Sequence, residues 1–131
     1  MEECRYVAIP ISPGIAISLS SNSHLVDVTT YRKLIGSLLY LTISRPDITF
    51  AVNLMARFIH KLYVENLNAV KQILRYVAGT KDLALNYSKL PSFVLSGFTD
   101  SNYGGDRDDM KSTSAYVFNI GSGAISWDSK K

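Results

Sequence analysis

The hydrophobic period of this chain changes once, at Gly79, and that change limits the fold more than any other feature. Before it, apolar residues recur every three or four positions, the spacing of helices that each bury one stripe. Tyr31, Leu34, Ile35, Leu38 and Leu39 form the first stripe, with Thr29 or Thr30 placed to cap it. SRPD at 44–47 breaks the pattern. Pro46 suits the first turn of a second helix because no N–H is needed there, and Asp47 meets its positive end. The second stripe is Ile48, Val52, Met55, Phe58 and Ile59, and the third is Leu67, Val70, Ile73, Leu74 and Val77, with Gly79 expected as the C′ residue. Short joints between three such helices imply a small helical bundle.

After Gly79 the period falls to two. LALNY (83–87), FVLSGF (93–98), SAYVFNI (114–120) and AISW (124–127) read as strands, and GSG at 121–123 reads as a hairpin turn. In 114–120, Ala115, Val117 and Asn119 alternate with Tyr116, Phe118 and Ile120, so the two sets occupy opposite faces. Helices first and antiparallel strands second define an α+β chain in two segregated parts. The expected organisation is an extended lead-in over 1–28, a helical region over 29–80 and a sheet region over 81–131. A sheet this apolar needs a cover on one face, and the sequence supplies none after the last strand. The reading at this point is a chain cut off within a domain.

Composition narrows the class of function. With 131 residues, 47% hydrophobic and 19% charged, the chain is that of a folded domain. One cysteine, Cys4, forms no internal disulfide, and with only His24 and His60 beside it a zinc site lacks ligands. MEEC is acidic where a signal peptide is basic. The run YVAIPISPGIAISL is short and broken by Pro10 and Pro13, so no membrane span is expected, and the chain reads as intracellular. Charge is uneven. Residues 1–90 carry ten Lys/Arg against six Asp/Glu, and residues 91–131 carry four against five. Arg32, Lys33, Arg57, Lys61, Lys71 and Arg75 lie in the helical part, as does Arg45. Such cations fit a phosphate backbone, and they equally fit the solvated faces of amphipathic helices. His60 reads as a polar surface residue, and Trp127 and the tyrosines read as packing residues.

The stretch GFTDSNYGGDRDDMK (97–111) holds four aspartates. A calcium loop starting at Asp100 would need a carboxylate at its twelfth position, which is Lys111, and a preceding helix where a strand is expected. Asp100 instead sits on a strand, where a rigid first ligand of a two-metal nuclease would be. Asp106, Asp108 and Asp109 follow two glycines and fit a solvated loop balanced by Arg107 and Lys111. One carboxylate cannot hold two metal ions, so chemistry at Asp100 requires partners.

YRKLIGSLLYLTISRPDITFAV (31–52), AVKQILRYVAGT (69–80), GFTDSNYGGDRDDMKSTSAYVF (97–118) and GAISWDSKK (123–131), in this order, resemble the Pol polyprotein of copia-type retrotransposons. The resembling region is the junction between reverse transcriptase and ribonuclease H. The resemblance covers nearly the whole chain, and it implies a fold: a thumb- or connection-like helical region followed by the first three strands of a ribonuclease H-like sheet. It implies that Asp100, in FTDS, occupies the position of the first Mg²⁺-binding aspartate, with the other catalytic carboxylates absent from this chain. It therefore implies a fragment that is not an enzyme by itself and holds no stable metal, although its parent would use Mg²⁺ to hydrolyse the RNA of an RNA–DNA hybrid. The implied partner is hybrid or duplex nucleic acid. Leu62, Asn66, Leu67, Asn102, Tyr103, Met110 and Ala115 depart from the family pattern. The alternative function is a non-catalytic nucleic-acid-binding module using the basic helices.

Overall fold

The structure, a computed structural model, describes residues 5–12, 27–59, 62–89, 94–102 and 112–131. The chain divides into two compact units, Met1–Asp82 and Leu83–Lys131. Three helices and one three-stranded antiparallel sheet make it α+β, as the change of period predicts.

The first unit is built on α1 (Val28–Leu41), α2 (Pro46–Ala56) and α3 (Val64–Gly79). Its core is Tyr31, Ile35 and Leu38 from α1, Ile48, Val52 and Met55 from α2, and Ala69, Val70, Ile73 and Tyr76 from α3, with Leu62 and Phe58 closing the joint. Each fully buried large side chain contributes about 1.5–3 kcal/mol relative to exposure. The stripes of α1 and α2 face inward as expected. On α3 the buried line is rotated toward Asn66, Ala69 and Tyr76, and Leu67, Leu74 and Val77 are only partly covered. Polar anchoring explains the rotation: the Tyr63 N–H donates to Asn66 Oδ1 (2.8 Å), and the Tyr76 hydroxyl donates to Asp47 (2.9 Å).

Helix ends also differ from expectation. Asp27, not Thr29 or Thr30, caps α1, accepting from the N–H groups of Thr29 (2.9 Å) and Thr30 (3.2 Å). A carboxylate outcompetes a hydroxyl at this positive end, and the bonds from Thr30 and Thr29 hold its pKa below the usual range. Gly79 is the last helical residue, and Thr80 follows as the C-cap. Its missing side chain matters for another reason: a Cβ there would lie 2.9 Å from Tyr6 Cβ. Residues 5–12 run beside α3, with Val7 and Ile11 against the core and the Gln72 amide donating to Ile9 O (3.2 Å).

The second unit is a meander of β1 (Leu95–Asn102), β2 (Thr113–Ile120) and β3 (Gly123–Lys130), in that spatial order. Gly121, at φ 58, opens the tight turn between β2 and β3, a conformation glycine adopts without strain. The alternation in β2 is as expected: Ala115, Val117 and Asn119 are half-buried, while Tyr116, Phe118 and Ile120 are exposed. LALNY (83–87) is not a strand. Its neighbourhood is held by side chains instead of a backbone ladder. The Tyr87 hydroxyl donates to Ala124 O, the Ser88 N–H donates to Ser122 Oγ (2.9 Å), and Ser122 Oγ in turn donates to Asn86 O (3.3 Å).

Candidate functional site

Asp100 lies within β1, opposite Ala115 of β2, so two strands fix its backbone. Phe98 pairs with Val117, Val117 with Trp127, and Ala115 with Ser129. Side chains directly opposite one another share a face, and Asp100 therefore stands on the face carrying Phe98, Val117, Trp127 and Ser129. Its carboxylate is exposed and accepts the N–H of Ser101 (2.8 Å). β1 is an edge strand of the described sheet, not a central one.

Asp128 is the nearest rival ligand. It pairs with Tyr116, one residue out of phase with Asp100, which puts the two carboxylates on opposite faces. Asp128 is also engaged by the Lys130 ammonium (3.0 Å), which raises the lysine pKa. An open depression of about 550 Å³ borders both, lined by Thr99, Ser101, Ser114 and Tyr116 as well. Among the described residues no three His, Cys, Asp or Glu side chains gather as metal ligands. These residues do not fit a two-metal centre: they offer one carboxylate on the Asp100 face. Asp106, Asp108, Asp109, Arg107 and Lys111 lie outside the described residues.

The cations are distributed over three helices. Arg32 and Lys33 are exposed on α1, and Lys71 is exposed on α3 one turn before the half-buried Arg75. Lys71 and Arg75, four residues apart, share a helix face. None of these four takes part in an ion pair among the described residues. Arg57 is the C-cap of α2 and has a partner of its own. Lys61 and His60 lie outside the described residues.

Sequence reasoning missed a polar cluster that joins the start of α2 to the end of α3. The Arg45 guanidinium binds Asp47 through two bonds, Nε to Oδ1 (2.8 Å) and Nη2 to Oδ2 (2.7 Å). It also donates to Thr80 O (3.0 Å) and Thr80 Oγ1 (2.7 Å) and stands 5.9 Å from the Tyr76 ring centroid. Arg45 holds the Asp47 carboxyl below the usual range, and burial together with Asp47 raises the Tyr76 phenol. The RPD order was the available signal, since an Arg two residues before a helix-opening Asp can reach it. The participation of Tyr76 and Thr80 had none.

Known proteins resemble the chain over its whole length. It is 42% identical over all 131 residues to the retrovirus-related Pol polyprotein from transposon RE1 of Arabidopsis thaliana, and 39% identical to that from transposon RE2. A third relative, the Pol polyprotein from transposon TNT 1-94 of Nicotiana tabacum, is 42% identical over 101 residues, 76% of this chain. The chain spans 9% of the length of the RE1 and RE2 polyproteins. No protein-family profile and no solved structure matches. An α+β chain with one strand-borne carboxylate and this full-length similarity belongs to the retrovirus-related Pol polyproteins of copia-type transposons. Among the described residues no helix is long and apolar enough to cross a membrane.

Proposed function

We propose that the chain is the part of a copia-type Pol polyprotein where reverse transcriptase gives way to ribonuclease H. In this reading the helical unit lies along duplex or hybrid nucleic acid, and the sheet unit opens the ribonuclease H domain. Asp100 would be one Mg²⁺ ligand of the completed parent site. The observation that carries the proposal is the placement of Asp100: a lone exposed carboxylate, fixed by pairing with β2, within a motif that resembles the family's FTDS strand. Two-metal hydrolysis needs several carboxylates around both ions, and the described residues provide one. The isolated chain therefore does not cleave. The test is incubation of the purified chain with a labelled RNA–DNA hybrid and Mg²⁺ or Mn²⁺. No cleavage is expected, and cleavage that disappears in Asp100→Asn would overturn this part of the reading.

A second reading, a non-catalytic binding module, is favoured by Arg32, Lys33, Lys71 and Arg75, none of them consumed by an ion pair. Binding to duplex would then fall steeply with salt. Lys71→Ala or Arg75→Ala would each weaken it across all sequences and flatten the salt slope by about one. Binding unaffected by salt and by these substitutions would remove the reading.

A further inference from the structure

β1 has one covered side and one bare side. The order β1-β2-β3 leaves its outer edge without a strand among the described residues. Which backbone groups are bare follows from the turn: the Gly121 N–H donates to Val94 O (3.0 Å). Backbone groups point alternately to the two sides of a strand. Val94, Ser96, Phe98, Asp100 and Asn102 therefore bond toward β2, and the N–H and C=O groups of Leu95, Gly97, Thr99 and Ser101 point outward. The strand is eight residues long, pairs with β2 without a bulge, and contains no Pro or Lys. Those are the usual devices that keep an edge from pairing. Leu95 is 64% exposed and Phe98 62%.

We propose that β1 pairs antiparallel with β1 of a second copy of this chain, in a register centred on Phe98. In that register Leu95 faces Ser101 of the second copy and Gly97 faces Thr99. The four outward residues of each strand thus form four hydrogen-bonded pairs, about two bonds each, and no outward group is left over. Phe98 lies on the two-fold axis against its own copy, in the type of pair where side chains approach most closely. Asp100 faces Ser96 of the second copy. The two Asp100 carboxylates are then four positions apart along the strands, roughly 13 Å at ~3.4 Å per residue, beyond the Debye length of ~8 Å at physiological salt. A register centred on Gly97 or Thr99 leaves one outward residue of each strand unpaired. One centred on Asp100 opposes the two carboxylates. The pairing is self-complementary and closes on itself, so it yields a dimer with a six-stranded sheet rather than an open fibre. It stands independently of the proposed function.

The experiment is sedimentation equilibrium of the full 131-residue chain over a range of concentrations, with circular dichroism confirming that each variant keeps its sheet. A monomer–dimer equilibrium is expected. Phe98→Lys and Phe98→Glu, at an exposed position, each set like charges against each other on the axis and should raise the dimer dissociation constant at least about tenfold. An equimolar mixture of the two variants should restore dimers. Phe98→Cys, combined with Cys4→Ser, should cross-link to itself under mild oxidation, because directly opposed residues of this pair type have Cα atoms ~4.5 Å apart, within disulfide reach. A monomer at every concentration, a dimer indifferent to both charge variants, or growth into open assemblies would each overturn the proposal.

Discussion

Replacing Arg45 by alanine should loosen the helical unit by about 2–3 kcal/mol at neutral pH. The figure follows from the contacts. Arg45 is nearly buried and makes four hydrogen bonds, two to Thr80 and two to Asp47. The Thr80 pair has neutral acceptors and is worth about 1 kcal/mol net. The Asp47 pair is bidentate and charge-assisted, but the carboxylate side chain is 31% exposed, so about 1–2 kcal/mol remains after screening. The pH dependence has a fixed sign. Asp47 has a depressed pKa, chiefly through Arg45, so its share is fully present above the unfolded carboxyl pKa of about 3.9 and is lost as pH falls through the lower folded value. Urea unfolding followed by helical circular dichroism, from neutral pH down to about pH 2, reads this directly. The difference between wild type and Arg45→Ala should shrink by about half toward the acid end. A cost under about 0.5 kcal/mol at neutral pH, or an undiminished cost in acid, would refute the reasoning.

Two further predictions concern packing. In Gly97→Ala the new Cβ would lie 2.5 Å from Phe118 Cε1, so the sheet should lose about 1–3 kcal/mol, and Phe118→Ala in the same chain should recover part of it in a thermal melt. Tyr31 is fully buried and donates to Met55 O (2.9 Å), and burial raises its phenol pKa. Its contribution is present below the ordinary value of 10.0 and is lost as pH rises above it, so wild type should weaken in alkali more steeply than Tyr31→Phe, which itself costs about 0.5–1.5 kcal/mol at neutral pH.

Local order was legible where one interaction range decided it. The stripe from Tyr31 to Leu38, the Pro46–Asp47 helix start and the alternation of Ala115 to Ile120 all follow from period and end chemistry, and all are in the structure. The misreadings have distant causes. LALNY has the composition of a strand, but bonds from Tyr87 and Ser88 to a turn more than thirty residues away replace the ladder. The buried face of α3 turns because Tyr76 reaches Asp47, 29 residues earlier, and Thr80 is tied to Arg45 across 35. Asp27 was passed over as a cap because two threonines stand nearer the stripe. For the candidate site, the motif located Asp100 on a strand, whereas the edge position of that strand depends on pairing order, which no local pattern encodes.

The central claim is that Asp100 occupies a metal-ligand position of a ribonuclease H site built with residues from elsewhere in a Pol polyprotein. It is tested most directly in a copia-type Pol polyprotein whose matching segment is replaced by this chain. Cleavage of a labelled RNA–DNA hybrid should persist in that chimera and vanish in Asp100→Asn, with DNA synthesis on an RNA template unchanged. Hybrid cleavage that survives Asp100→Asn would contradict the account.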